Sequence, residues 1–292
     1  MKEIPNMKQL NDRVRADLPG KFVELSDGVT HYEIRGPEDG DPVVLIHGLS
    51  TPMFAWDPTF KALVENGFRV LRYDIFGRGY SDRPSTTYDM GFFVRQLKEL
   101  LSALSITTRA HLVGWSMGGA ISAAFTNHYP EKIDKITFIA PAGFPVNMPA
   151  SAKLLTIPVL GKILMSLVGE KSLLKSIDGL FFDAAMKPDY IEKYKKQMRY
   201  SGFLRAIHST ICNFPFNTSD DFRRIGDERR PALLIWGEGD EVTPFGNSSL
   251  ARQLMPGCEY LFVSHAKHAV HYEKPDVVNR KIIAFLKNRR QN

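Results

Sequence analysis

Hydrophobic and polar positions switch between two periods along this chain. Phe22-Val23-Glu24-Leu25, an Asp27-Gly28 turn and Val29 to Ile34 read as a hairpin. Pro42 opens the wholly apolar run Val43-Val44-Leu45-Ile46, as expected of a strand buried on both faces. Further strand runs are Arg69 to Tyr73, Ala110 to Val113, Lys135 to Ala140, Ala232 to Trp236 and Tyr260 to Val263. Helical spacing fills the gaps between them. Phe54 to Glu65 ends near a capping Gly67. Asp89 caps a stripe of Phe93, Leu97, Leu100, Leu101 and Leu104. Other helices are expected from Ser116 to about His128 and from Pro275 to about Lys287. Strands alternating with helices at this spacing predict an α/β fold: a mostly parallel, eight-stranded, doubly wound sheet flanked by helices.

The alternation stops between Phe144 and Ile225, where only helical patterns recur. Such a stretch is too long for a loop and reads as a helical insertion after the sixth strand. The expected division is a core of residues 1–143 and 226–292, with 144–225 standing on the sheet. The run Leu154, Leu155, Ile157, Val159, Leu160, Ile163, Leu164, Met165, Leu167 and Val168 supports two expectations. One is a lid that opens at a lipid surface. The other, which we prefer, is a face that packs on the core and lines an acyl pocket. Pro158, Gly161 and Lys162 interrupt the run, so no membrane span is expected. Met1 to Leu18 reads as a charged, loosely amphipathic arm without an apolar signal-peptide core, and a cytoplasmic location follows.

One strand ends unusually. Ala110 to Val113 runs into Gly114-Trp115-Ser116-Met117-Gly118, and a helical pattern starts at once. A serine that attacks a carbonyl must stand clear of the sheet on a sharp strand-to-helix turn. Gly114 and Gly118 then leave room for close backbone approach. The Met117 N–H, opening the helix, can face a developing oxyanion. Three fixed positions arise by accident in about one chain in ten of this length, so the partners decide. A nucleophilic serine needs a base and an acid to orient it. Glu238, Asp240 and Glu241 follow the strand ending at Trp236, and His265, His268 and His271 follow the strand ending at Val263. The order Ser116, Asp240, His268 fits the need.

Composition narrows the partners. Charged residues make up 24% of the 292, and the net charge of +6 is scattered. Arg223, Arg224, Arg229 and Arg230 alternate with Asp220, Asp221, Asp227 and Glu228, a mixed solvated surface with no nucleic-acid footprint. Two isolated cysteines, Cys212 and Cys258, support neither a disulfide framework nor a zinc site and read as free thiols. No metal-ligand cluster is evident, and no cofactor is expected. Asp74 with Gly77 and Gly79 lacks the Lys-Ser/Thr end of a phosphate loop and reads as a structural turn.

Taken together, His47-Gly48, Asp74 to Ser81, Gly-Trp-Ser-Met-Gly-Gly at 114–119, Trp-Gly-Glu-Gly-Asp at 236–240, and His268 followed by Glu273 and Pro275 resemble the α/β-hydrolase superfamily. The closest pattern is its capped esterase and lipase branch, of carboxylesterase or monoacylglycerol-lipase type. The resemblance spans nearly the whole chain. It implies a helical cap at 144–225 and a Ser116–Asp240–His268 triad. Asp240 is selected by the Gly-x-x-Asp spacing, and His268 by the five residues before Lys274. The resemblance also implies an oxyanion hole of the Leu49 and Met117 backbone N–H groups, with His47 holding the oxyanion loop. Gly48 and Trp115 fall at the substrate pocket, where Trp115 either lines the pocket or packs.

The implied substrate is a small ester with a short- to medium-chain acyl group, monoacylglycerols included. Ser116 argues against the relatives with aspartate at the elbow, the epoxide hydrolases and haloalkane dehalogenases. Meta-cleavage-product hydrolases, which cut C–C bonds, share Ser, Asp and His but usually carry Asn where Trp115 stands. Perhydrolases and a hydrolase-fold ligand receptor are the remaining alternatives. Monomer and dimer both fit.

Overall fold

The computed structural model describes residues 7–146 and 153–288. Residues 1–6 of the N-terminal arm and 147–152 of the insertion lie outside the described residues. The rest of the arm contains one short helix, α1 (Asp12–Arg15).

Eight strands form one sheet: β1 (Lys21–Leu25), β2 (Gly28–Arg35), β3 (Pro42–Ile46), β4 (Arg69–Tyr73), β5 (Ala110–Trp115), β6 (Ile133–Ile139), β7 (Ala232–Gly237) and β8 (Glu259–Val263). Their spatial order is β1-β2-β4-β3-β5-β6-β7-β8. β1 and β2 are antiparallel at one edge, and β4 through β8 run parallel. Every residue of β3 and β5 is buried, which their unbroken apolar runs require. After β3 the chain steps outward to β4, then returns to β5 on the other side of β3. That reversal opens a crevice at the carboxyl ends of β3 and β5, where ligands bind in open α/β sheets. His47–Leu49 leaves β3 there, and Ser116 leaves β5 there, with Ile46 and Gly114 in register.

Helices α2 (Asp57–Glu65), α3 (Met90–Ala103) and α4 (Met117–His128) connect the first strands. The Asp89 side chain accepts from Phe92 N–H at 2.8 Å and caps α3, as the sequence predicts. Between β6 and β7 the chain folds into α5 (Leu160–Ser176), α6 (Lys187–Met198), α7 (Phe203–Asn213) and α8 (Ser219–Asp227). The remainder carries α9 (Asn247–Leu254), α10 (Val270–Glu273) and α11 (Pro275–Lys287). α2 packs with α10 and α11, while α4 packs with α3 and α8, so two groups of helices flank the sheet. A division at residue 225 falls inside α8. Among the described residues no helix is long and apolar enough to cross a membrane.

The insertion differs from the preferred expectation for its apolar run. α5 buries Gly161, Met165 and Gly169 and packs on α7. Leu160, Ile163, Leu167 and Val168 face solvent instead. Close approach is the reason: a Cβ on Gly161 would collide with the Leu155 carbonyl. The small-residue face therefore turns inward, and the bulky face is left outside.

The turn after β4 is held by a buried ion pair. His31 Nδ1 donates to Asp74 Oδ2 at 2.6 Å, and His31 Nε2 donates to the Pro19 carbonyl at 2.7 Å. Both ring nitrogens thus face an oxygen acceptor. Asp74 also accepts from the Met53 and Tyr80 N–H groups. Burial pushes the Asp74 carboxyl up, but the hydrogen bond and charge of His31 outweigh it and hold the pKa below its ordinary value. Asp74 therefore stabilises the fold above the ordinary carboxylate range, and that contribution is lost as pH falls through the lowered pKa. Asp74→Asn leaves His31 without its counter-charge and is expected to cost about 3–5 kcal/mol. Urea unfolding at neutral pH reads this directly, and a loss below about 1 kcal/mol, the scale of a surface pair, would rule the ion pair out.

Candidate active site

Ser116 stands on the turn from β5 to α4 with φ +56° and ψ −121°, a conformation that L-residues rarely adopt. The surroundings enforce it. Ser116 N–H donates to the Ile139 carbonyl at 2.9 Å, and the Ser116 carbonyl accepts from the Gly119 and Ala142 N–H groups, each at 2.9 Å. A Cβ on Gly118 would collide with the Ile46 carbonyl, so strand and helix approach this closely only through glycine. Gly48 lies opposite, where an added Cβ would come within 3.2 Å of Ser116 Cβ.

Two backbone amides at this turn are unspent. Met117 N–H opens α4 and has no intrahelical acceptor. Among the described residues, neither it nor Leu49 N–H donates a hydrogen bond. The Leu49 amide is aimed by its neighbours. His47 Nε2 accepts from Ile75 N–H at 3.0 Å, so the proton sits on Nδ1, which donates to the Gly48 carbonyl at 2.9 Å. The Gly48 carbonyl and Leu49 N–H point oppositely within one planar peptide, so fixing the first directs the second. Burial lowers the His47 pKa to about 4 and keeps the ring neutral. On the other side of Leu49, the fully buried Arg78 donates Nε–H to the Leu49 carbonyl at 2.7 Å and reaches Thr210 at 2.8 Å. Burial lowers its pKa to about 9.

The residues expected as acid and base follow the ends of β7 and β8. His268 Nδ1 donates to Asp240 Oδ2 at 2.8 Å, leaving Nε2 as the acceptor nitrogen. Asp240 Oδ1 accepts from the Val242 and Thr243 N–H groups at 2.8 and 3.1 Å. Thr243 Oγ1 lies 2.9 Å from Asp240 Oδ2, 3.0 Å from the Ala140 carbonyl and 3.2 Å from His268 Nδ1. The rivals are placed elsewhere: Glu238, Glu241 and His265 are exposed. His271 is buried between Trp56 and Trp115, at ring separations of 4.5 and 4.9 Å, away from any carboxylate contact. Burial, with the nearby His268, lowers its pKa to about 3.

Trp115 is buried rather than open to solvent. Its indole N–H donates to the His268 carbonyl at 2.9 Å, tying the residue beside the serine to the histidine loop. No hydrogen bond joins Ser116 Oγ to His268 among the described residues, and such contacts often tighten only when substrate is bound. No group of three or more His, Cys, Asp or Glu is placed to hold a metal ion among the described residues.

Three contributors escape a sequence reading. Thr243 has a weak local signal, a hydroxyl three residues after an aspartate. Arg78 and Gln197 have none. Gln197 accepts from Gly79 N–H and donates to the Ser50 carbonyl, stitching α6 to both loops.

A family model described as alpha/beta hydrolase fold matches residues 41–163. The chain is 28% identical over 276 residues to 2-hydroxy-6-oxo-6-phenylhexa-2,4-dienoate hydrolase of Comamonas testosteroni, covering 91% of this chain and 94% of the relative. It is 26% identical over 270 residues to carboxylesterase YbfK of Bacillus subtilis (strain 168), covering 91% and 86%. Among solved structures, the enol-lactonase from Burkholderia xenovorans LB400 superposes with a TM-score of 0.79 at 21% identity, covering 92% of this chain and all of that one. At that identity the likeness speaks to the fold.

The two neutral buried imidazoles make stability fall with acid. Each has a folded pKa below the ordinary 6.5, so the unfolded chain binds the additional proton. Their contribution is complete above pH 6.5 and is lost at about 1.4 kcal/mol per pH unit per histidine as pH falls toward 4. His271→Phe should flatten the slope of unfolding free energy between pH 6 and 5 by about that one-proton amount. An unchanged slope would refute the buried neutral state.

Proposed function

We propose, from the premise that the chain belongs to the α/β-hydrolase superfamily, that it is a serine hydrolase cleaving carboxylic esters through an acyl-enzyme. The observation that carries this reading is the Asp240–His268 hydrogen bond of 2.8 Å, which supports this pair over the other four candidates. The strained Ser116 and the unspent Leu49 and Met117 amides support it.

In the proposed mechanism Ser116 Oγ attacks the ester carbonyl and its proton passes to His268 Nε2. Asp240 accepts from Nδ1–H throughout, holding the ring and stabilising its cation. The Leu49 and Met117 N–H groups receive the oxyanion, and the loss of such a donor costs about 10²–10³ in rate. His268 then protonates the departing alcohol. In the second half it takes a proton from water, hydroxide attacks the acyl carbon, and Ser116 leaves with the proton restored. Residues 144–225 serve as the cap in this reading, and short- to medium-chain esters, monoacylglycerols among them, are the substrates. Gly48 contributes close backbone at the site, and Trp115 acts through His268 rather than on the substrate.

A second reading is C–C cleavage of a meta-cleavage product, favoured by the similarity to the Comamonas testosteroni hydrolase. The YbfK similarity favours the ester. Trp115 weighs on the same side, because its N–H is engaged by His268 and unavailable to substrate. Comparing kcat/KM for p-nitrophenyl butyrate with that for 2-hydroxy-6-oxo-6-phenylhexa-2,4-dienoate decides between them. Ester turnover is expected to dominate, and the reverse ranking overturns the ester reading. Ser116→Ala should keep the thermal unfolding profile and lose roughly 10⁴-fold or more in kcat. Retained turnover removes Ser116 as nucleophile.

A further inference from the structure

Exposed bulky apolar side chains are concentrated in one part of the molecule. Among the described residues, twelve are exposed, and nine of them lie between Val146 and Phe182. Leu160, Ile163 and Leu167 recur at three- and four-residue steps along the outer face of α5, with half-buried Leu164 and exposed Val168 beside them. Leu167 keeps 74% of its surface and Val159, just before the helix, 67%. Val159 also holds φ +67°, which is costly for a β-branched residue and leaves its side chain in water. The opposite face of α5 packs inward through Gly161, Met165 and Gly169, so the outer face has no partner within the described residues. A contiguous patch of this kind marks an interaction surface.

Charge identifies the partner. From 153 to 176 there are four lysines, Lys153, Lys162, Lys171 and Lys175, and one acid, Glu170. All four lysines are exposed. A symmetric pair of this chain would bring the same lysines face to face, which is unfavourable. A bilayer bearing anionic headgroups accepts both features: leucines enter the acyl boundary and lysines reach the phosphates.

We propose that the outer face of α5 is a docking surface for anionic phospholipid membranes. The inference stands apart from the ester chemistry, because it needs neither Ser116 nor His268. The protein lies on the bilayer with α5 in the interfacial plane, and its 17 residues span about 26 Å.

The test is sedimentation of the whole protein with vesicles of phosphatidylcholine alone and of phosphatidylcholine mixed with phosphatidylglycerol. Partitioning onto the mixed vesicles is expected to be about tenfold stronger and to weaken with salt. I163E/L167E should lower it by about tenfold or more, since burying each side chain contributes that much. K162E/K171E should remove the preference for the anionic vesicles. All four positions are solvent-exposed, and circular dichroism checks that both variants keep the fold. No binding to the mixed vesicles overturns the proposal, as does equal binding by wild type and I163E/L167E. A dimer in analytical ultracentrifugation that I163E/L167E dissociates also overturns it, and assigns the face to a second copy.

Discussion

The site depends on a backbone conformation that would not persist alone. Ser116 at φ +56° costs on the order of 1–3 kcal/mol, and such strain survives only where its surroundings over-determine it. Here Ile139 of β6, Ala142 just beyond it and Gly119 of α4 supply three backbone hydrogen bonds, and the contact between α4 and β3 admits no side chain at Gly118. The same close contact brings the chain leaving β3 against Ser116. The sheet's switch point, the serine and its flanking amides are therefore one packing solution.

Around that turn, polar groups work by being buried and matched. His47 is neutral because it is desolvated, and its tautomer follows from one donor and one acceptor. Asp74 is charged in an equally buried place because His31 and two backbone amides meet it. Arg78 grips the Leu49 carbonyl from the far side. A hydrogen bond in such surroundings is stronger than in water, and an unmatched group is correspondingly costly. The loop that presents Leu49 N–H is thus held from both ends.

The insertion is not a separate body resting on the sheet. Gln197 bridges Ser50 and Gly79, Tyr190 meets Thr51, and Thr210 meets Arg78. Residues of the insertion and the loops after β3 and β4 therefore share hydrogen bonds. A change in α6 or α7 reaches the loops that follow β3 and β4 directly. α5 stands outside this network, packing on α7 and on the turn at residues 177–179, with Leu160 and Leu167 turned to solvent.

The strand runs, the cap at Asp89 and the elbow around Ser116 were legible in the chain alone, because each rests on periodicity or on residues adjacent in sequence. Residue type alone did not separate His268 from His265 and His271, nor Asp240 from Glu238 and Glu241; only the spacing of the family resemblance selected between them. Their burial and partners depend on how the ends of β7 and β8 meet. Thr243, Arg78 and Gln197 were silent for the same reason, since their partners lie up to 147 residues away. The apolar run of α5 shows the limit most clearly. Hydrophobicity marks a face that avoids water, but which face turns inward was decided by the close approach to α7, and only glycine and a flexible methionine fit there.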